Sequence, residues 1–238
     1  MKTVDWSAYA EEYDVMARHN PAYQELVAHC IRSVTAWPLK PGDTVADFGA
    51  GTGNFSLALA QALPDIQVLH LDSDEQMLRI AATKADMADV KNWRAVAIDL
   101  ERESWELPEL AGAVSVHCIY AMRNPRQFIC RLRTQLRQGG HLYACDFARE
   151  MNVRDWARYL LAESLRANGV WHTAGLFVRC GQVRRQNRRV AECQREGTYW
   201  THNLSEFRAV FEAAGIEVLC ASNILYRGYD DLIVGRKL

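Results

Sequence analysis

The sequence predicts one α/β domain built on a doubly wound, mostly parallel sheet of seven strands. Short apolar segments with the length of buried strands alternate with segments of helical periodicity, and a glycine-rich turn follows the first of these strands. The length of 238 residues suits one such domain. Because the strand segments are continuously apolar, we expect helices on both faces of the sheet.

The overall composition is that of an ordinary globular protein and does not favour a polyanionic or membrane partner. Hydrophobic residues make up 49% of the chain and charged residues 24%, and the formal net charge is -1. The 7 cysteines are odd in number and show no Cys-x-x-Cys spacing, so neither a disulfide framework nor a metal site is expected. The sequence shows no signal peptide and no membrane-spanning run, which predicts a cytoplasmic location.

The first part of the chain supplies most of the predicted sheet. Residues 1–40 are expected to be helical, with an apolar stripe over residues 22–37 that ends at Pro38. Strands are predicted at 44–48, 66–71, 93–98, 113–119 and 141–146, and helices at 54–63, 74–87 and 127–136. Right-handed crossovers would bring the carboxyl ends of the parallel strands, and therefore a ligand, to one edge of the sheet.

The pattern changes after the fifth strand. A helix at 154–168 is expected to end at Gly169, and a polar helical stretch follows at 176–194. A helix at 205–214, with Ser205 as N-cap and Gly215 after its last turn, precedes two final strands at 216–222 and 231–236. We therefore divide the single domain of residues 1–238 into a helical extension (1–40), a core (41–147), an insertion (148–203) and a C-terminal helix with two strands (204–238).

Three glycines, Gly49, Gly51 and Gly53, lie between the first strand and the helix that follows it. Such a turn lets the backbone approach a ligand closely, and the helix N-terminus offers unpaired N–H groups. A tight strand-to-helix turn that needs glycine for structural reasons alone is the alternative. A dinucleotide site would require glycine or alanine at the position of Asn54, so NAD is disfavoured.

Preceded by Asp47, the glycine turn resembles motif I of the class I S-adenosylmethionine-dependent methyltransferases, of the small-molecule type, and the resemblance extends over most of the chain. It implies a Rossmann-like methyltransferase fold with S-adenosyl-L-methionine as cofactor. In this family the acidic residue of motif I orients the methionyl amino end, and the glycines line the sugar and methionyl part. The resemblance further implies that Asp72 accepts hydrogen bonds from the ribose hydroxyls. The implied adenine contacts are Ser73, Asp99 and Leu100.

The N-terminal helices resemble the lid of small-molecule methyltransferases. Tyr9 and Tyr13 are four residues apart and therefore share one face of a helix. The resemblance implies that a lid tyrosine, for which Tyr13 is the candidate, closes over the methionyl end, where an aromatic face also attracts a sulfonium. A packed amphipathic helix with its aromatic residues in the core is the alternative.

Methyl transfer mainly requires that the nucleophile and the methyl group are held in line and kept from water, and only an acidic nucleophile needs a general base. His117 and Tyr120 are the catalytic candidates, because the end of the fourth strand borders the ligand edge. For His117 a satisfied core histidine is the alternative. The insertion is rich in aromatic residues and is predicted to cap an aromatic acceptor pocket; these residues are Trp156, Tyr159, Trp171, His172, Phe177, Tyr199, Trp200 and His202.

The predicted function is methyl transfer from S-adenosylmethionine to a small molecule. The closest alternative uses the same cofactor for chemistry on its aminobutyrate chain; a non-catalytic cofactor-binding protein and an RNA methyltransferase are weaker alternatives. The arginine-rich stretch 184–189 is followed by glutamates and is typical of a solvated helix face. The chain also lacks the Asn/Asp-Pro-Pro-aromatic motif of enzymes that methylate exocyclic amines of bases. No nucleic acid, membrane or metal partner is therefore expected.

Overall fold

The computed structural model describes residues 4–102 and 104–238, without the side chain of Glu11. The strands in these residues are β1 (Thr44–Phe48), β2 (Gln67–Asp72), β3 (Trp93–Ala97), β4 (Leu110–Val116), β5 (Leu136–Phe147), β6 (Ile216–Ser222) and β7 (Asp230–Lys237). They form one sheet in the order β3-β2-β1-β4-β5-β7-β6. Neighbours from β3 to β5 pair in parallel, whereas β7 runs antiparallel to both β5 and β6. The predicted seven-stranded α/β sheet is confirmed, as a mixed sheet whose direction reverses at β7.

Helices cover both faces of this sheet. Those in the described residues are α1 (Trp6–Arg18), α2 (Pro21–Thr35), α3 (Asn54–Ala62), α4 (Glu75–Met87), α5 (Pro125–Gln135), α6 (Val153–Arg179), α7 (Gly181–Arg195) and α8 (Leu204–Ala213). Leu26 of α2 and Leu59 of α3 are buried in the core of one face. Phe128 of α5 and Phe207 of α8 are buried in the core of the other. Because β1 lies between β2 and β4, the strand order reverses there, and a crevice opens at the carboxyl ends of the strands.

Several predicted boundaries are wrong, each for a local reason. The fourth strand ends at Val116 and not at residue 119, because His117 adopts a left-handed backbone with φ 53. The fifth strand begins at Leu136, which pairs with Leu110, and not at residue 141. The N-cap of α8 is Asn203, not Ser205: its side chain accepts from Glu206 N, and the Glu206 carboxylate accepts from Asn203 N, so the two form a capping box.

The predicted insertion contains α6 and α7. Gly169, which was expected to end the first helix, instead kinks α6: it has φ 74 and ψ 178, and the helix resumes and continues to Arg179. The N-terminus of α7 is capped from α1, because Glu12 Oε2 accepts from Gln182 N at 2.7 Å and from Val183 N at 3.1 Å. Throughout the described chain, every helix is too short or too polar to cross a bilayer.

Candidate cofactor and active site

The glycine turn is built by backbone geometry that only glycine adopts without strain. Gly49, Gly51 and Gly53 have φ values of 70, 56 and 84. The amides of Gly49 and Ala50 donate to the carbonyl of Leu71 in β2 at 2.9 and 3.0 Å, which ties the turn to the neighbouring strand. The turn therefore ends β1 directly beside the carboxyl end of β2 and begins α3.

A cavity of about 420 Å³ lies above this turn, at the carboxyl ends of the central strands. Its size falls in the range of cofactor and small-molecule sites, about 300–1,000 Å³. Ten of the eleven predicted site residues line it: Tyr13, Asp47, Gly49, Gly51, Asp72, Ser73, Asp99, Leu100, His117 and Tyr120. Gly53 does not line the cavity; it precedes α3, where an added Cβ would lie 3.1 Å from the Ala81 side chain. Its role is therefore in packing the turn.

Asp47 is a buried carboxylate that lacks a complete set of partners. It is 2% exposed, and its Oδ2 has no hydrogen-bond partner among the described residues. Burial, and secondarily the nearby Asp72 carboxylate, raises the pKa of Asp47 to about 8. An ammonium group placed against Oδ2 would satisfy this oxygen and compensate the buried charge. Asp47 therefore fits the methionyl amino end of S-adenosylmethionine.

Asp72 and Asp99 offer carboxylates at the next two strand ends. Asp72 accepts from Gly51 N through Oδ2 at 2.8 Å and from Asp74 N through Oδ1 at 2.9 Å. Each oxygen keeps a second lone pair, so the carboxylate can still accept from two vicinal hydroxyls. The Asp99 side chain is 52% exposed at the rim of the same cavity. These positions agree with a ribose at Asp72 and a base near Asp99.

The helix α1 is fastened over the cavity by Asp14, a residue that the sequence analysis missed. Its Oδ1 accepts from Thr52 Oγ1 at 2.6 Å, and its Oδ2 accepts from Lys84 Nζ at 2.8 Å. Asn54, the residue that disfavoured a dinucleotide site, donates to the same carboxylate at 3.1 Å. This network holds Tyr13, one residue earlier, against the ring of Tyr23 beside the cavity.

The two catalytic candidates differ in what surrounds them. His117 lines the cavity, and its Nε2 lies 2.7 Å from Oδ2 of Asp230 at the start of β7. Tyr120 is 2% exposed and packs against Phe147 and Tyr199. Burial raises the pKa of Tyr120 well above its ordinary value, which disfavours it as a proton acceptor.

The aromatic wall of the cavity is not the one predicted from the insertion. Trp156 of α6 does line the cavity. In contrast, Trp171 is 91% exposed, and Trp200 packs against His202 and Phe207 outside the cavity. The expectation for Trp171 and Trp200 as pocket residues is therefore wrong. The sequence analysis missed several lining residues. Met151 and Leu160 belong to the insertion, whereas the others come from other parts of the chain: Trp6, Tyr23, Phe147 and Tyr226.

The arginine-rich stretch lies on α7 with its cations on the outer side. Arg184, Arg185 and Arg188 are exposed, whereas Val183 and Val190 of the same helix are buried. This distribution is that of an amphipathic helix, as predicted.

Together, the strand order, the glycine turn and the carboxylates at successive strand ends are those of the class I S-adenosylmethionine-dependent methyltransferase fold. Residues 45–140 match the model of the methyltransferase domain family. These findings indicate S-adenosylmethionine as the cofactor.

Individual relatives agree at the level of the fold. A SAM-dependent methyltransferase from Aquifex aeolicus is 16% identical, with a TM-score of 0.63 over 95% of this chain and 98% of that one. Magnesium protoporphyrin IX methyltransferase from Synechocystis, solved with bound S-adenosylhomocysteine, is 15% identical, with a TM-score of 0.64 over 97% and 96% of the two chains. A malonyl-[acyl-carrier protein] O-methyltransferase from Paenibacillus is 30% identical over 105 residues, 43% of this chain. The chain spans only 23% and 38% of the two curated relatives that it matches.

Proposed function

We propose that this protein transfers a methyl group from S-adenosylmethionine to a small-molecule acceptor. The observation that carries the proposal is a single cavity with two parts. The first part contains the carboxylate of Asp47, which lacks a hydrogen-bond partner at Oδ2, and the carboxylate of Asp72, which can accept hydrogen bonds; the second part is lined by aromatic side chains. The first part suits the cofactor, and the second suits an apolar, flat acceptor.

The bound cofactor supplies a methyl group already activated by a sulfonium. Asp47 would hold its amino end, Asp72 its ribose, and Ser73, Asp99 and Leu100 its adenine. Tyr13 would cover the methionyl part from α1, and the aromatic wall would exclude water from the transfer. The remaining task of the protein is to hold the acceptor in line with the methyl group.

A small acceptor is supported by how the cavity is covered. The α1 helix contacts the core through Asp14 and contacts α7 through Tyr9, whose hydroxyl donates to Asn187 Oδ1 at 2.9 Å. Such a cover leaves room for a molecule of limited size and not for a folded polymer. A structural neighbour from Planctomyces limnophilus, 16% identical, was solved in complex with apigenin.

The product of the cofactor tests the proposal. The protein is incubated with S-adenosylmethionine alone and then with a fractionated cell extract, and the sulfur-containing product is identified by mass. We expect S-adenosylhomocysteine together with an acceptor heavier by one methylene unit. Methylthioadenosine would instead mean chemistry on the aminobutyrate chain, and an unconsumed cofactor would contradict an enzymatic role.

Two tryptophans of α6 allow a test of which residues contact the acceptor, because Trp156 lines the cavity and Trp171 is exposed. Trp156 is 6% exposed and packs on Tyr226 with ring centroids 4.5 Å apart. We expect Trp156→Leu to raise the KM for the acceptor about tenfold, equivalent to about 1.4 kcal/mol, with little change in the Kd for S-adenosylhomocysteine. The matched control is Trp171→Ala, which removes an exposed indole and should change neither value. Equal effects of the two variants would contradict the assignment of the wall.

A further inference from the structure

His117 is held in one orientation by contacts on several sides. Its backbone has a φ of 53, so β4 ends before it and its side chain does not follow the alternation of side chains along the strand. The imidazole lies flat on Phe147, with centroids 4.0 Å apart and planes 5° from parallel, and the ring of Tyr226 meets it at 4.9 Å. Nε2 lies 2.7 Å from Asp230 Oδ2. The position of the ring is therefore determined by its neighbours and not by solvent.

Asp230 determines which ring nitrogen carries the proton. It is 0% exposed, and its Oδ2 also lies 3.6 Å from the Cys145 thiol, which can donate to it. Its Oδ1 is buried and has no partner among the described residues. A carboxylate only accepts, so in the neutral imidazole the hydrogen lies on Nε2 and the lone pair on Nδ1. No described residue hydrogen-bonds to Nδ1, and His117 lines the cavity.

We propose that His117 is the general base of the methyl transfer, that Asp230 is its positioning residue, and that the acceptor is a hydroxylated aromatic compound methylated on oxygen. This inference rests on the proposed function and assigns its substrate class. A neutral amine attacks with a free lone pair, whereas an aromatic hydroxyl becomes a strong nucleophile only when its proton is removed. The planar rings of Phe147, Tyr226 and Trp156 around the base suit an aromatic acceptor.

The step balances with the groups present. The hydroxyl proton passes to Nδ1 of His117 as the oxygen forms its bond to the methyl carbon. The bond from that carbon to sulfur breaks, and its electron pair stays on sulfur, so the sulfonium becomes a neutral thioether. The positive charge moves to the imidazolium, which Asp230 stabilises, and the proton later leaves to solvent.

The other titratable groups that face His117 are poor proton acceptors. Burial raises the pKa of Tyr23 in α2 and of Tyr226 before β7, so both hydroxyls stay protonated. On β5, burial raises the pKa of the Cys145 thiol well above its ordinary value, so the thiol stays protonated, and neither Cys145 nor Asp146 lines the cavity. The oxygens of Asp146 moreover accept from the amides of Tyr120 and Phe147. His117 lines the cavity, and its Nδ1 has no hydrogen-bond partner among the described residues.

Two adjacent aspartates in β7 provide a matched pair of variants. Asp230 faces His117, whereas Asp231 is equally buried but pairs with Arg149 at 3.1 Å and His202 at 3.3 Å.

With the acceptor found in the product assay, we expect Asp230→Asn to lower kcat about 10²-fold or more, with the acceptor KM and the Kd for S-adenosylhomocysteine within about twofold. His117→Gln should lower kcat about 10²–10⁴-fold and remove the acid limb of its pH profile. Asp231→Asn should keep that limb and most of kcat. Equal losses of kcat in Asp230→Asn and Asp231→Asn would overturn the proposal.

A second measurement needs no turnover. The protein with S-adenosylhomocysteine is titrated with p-nitrophenol, whose phenolate absorbs at longer wavelength than the phenol. Bound to the wild type below its own titration range, the probe should show the phenolate band, and His117→Gln should abolish the band. A bound probe that stays protonated, or one that does not bind at all, would overturn the base or the substrate class. A phenolate band without any S-adenosylhomocysteine formation in the product assay would support His117 with Asp230 as a base and contradict methyl transfer. A methylated nitrogen in the product would contradict the proposed roles of His117 and Asp230 but support methyl transfer.

Discussion

Asp47→Asn is expected to stabilise the cofactor-free protein and to weaken cofactor binding. Burial raises the pKa of Asp47 from 3.8 in its ordinary state to about 8 in the fold. The native state therefore binds a proton that the unfolded chain releases, and stability falls as pH rises from about 4 towards 8. At pH 7 the buried carboxyl of Asp47 lowers the free energy of unfolding by on the order of 1–4 kcal/mol, and a neutral amide of the same shape avoids this loss.

The measurement is thermal unfolding of the wild type and of Asp47→Asn between pH 5 and pH 8. The midpoint of the wild type should fall over this range more steeply than that of the variant. S-adenosylmethionine affinity should fall about 10–100-fold in the variant, because a charge-assisted hydrogen bond of about 1.5–3 kcal/mol is lost.

Asp99→Asn is the matched control for this change of charge. It removes the same charge from the same cavity, but the Asp99 side chain is 52% exposed and solvent already compensates it. Its unfolding midpoint should follow that of the wild type at each pH. Parallel pH profiles for the wild type and Asp47→Asn would contradict a buried, partner-deficient carboxylate at Asp47.

Gly49→Ala is expected to disrupt the turn itself. Gly49 has φ 70, and a Cβ placed there would overlap Cys118 Sγ and lie 2.8 Å from Cys118 Cβ. Left-handed backbone strain of about 1–2 kcal/mol adds to overpacking of about 1–3 kcal/mol. We expect a loss of about 2–5 kcal/mol in the free energy of unfolding, measured by urea denaturation, together with loss of cofactor binding.

Gly42→Ala separates the two contributions. Gly42 has φ 84 but no atom within 4 Å of an added Cβ, so this variant pays only for backbone strain. It should lose about 1–2 kcal/mol and keep its cofactor affinity. A loss as large as that of Gly49→Ala would show that contact with Cys118 adds nothing. The double variant Gly49→Ala with Cys118→Ala should recover part of the difference, because it removes the overlapping sulfur.

The part of the cavity lining that lies next to the glycine turn could be predicted because its residues are local. Asp47, Gly49 and Gly51 follow one strand, and Asp72 and Ser73 follow the next, so strand periodicity and turn chemistry place them without knowledge of distant contacts. In the same way, the apolar strands predicted a sheet with helices on both faces. The direction of β7 was not predictable from periodicity, because an alternation of residues looks the same in parallel and antiparallel strands.

The aromatic lining of the cavity could not be predicted without the tertiary structure. The α6 helix carries both Trp156 and Trp171, and only its packing against the core decides that the first is buried and the second exposed. His117 and Asp230 are 113 residues apart in sequence and meet because β7 inserts next to β5. Asp14 reaches the glycine turn 38 residues away only when α1 folds over it.

Local patterns in the chain therefore determine the fold class and the glycine turn beside the cavity, since β–turn–α units carry their own geometry. The aromatic lining of the cavity comes from α1, α6, β5 and the segment before β7, which are far apart in sequence. Burial against partners, and not local propensity, selects which of their side chains face the cavity. Such partners exist only once the sheet has assembled.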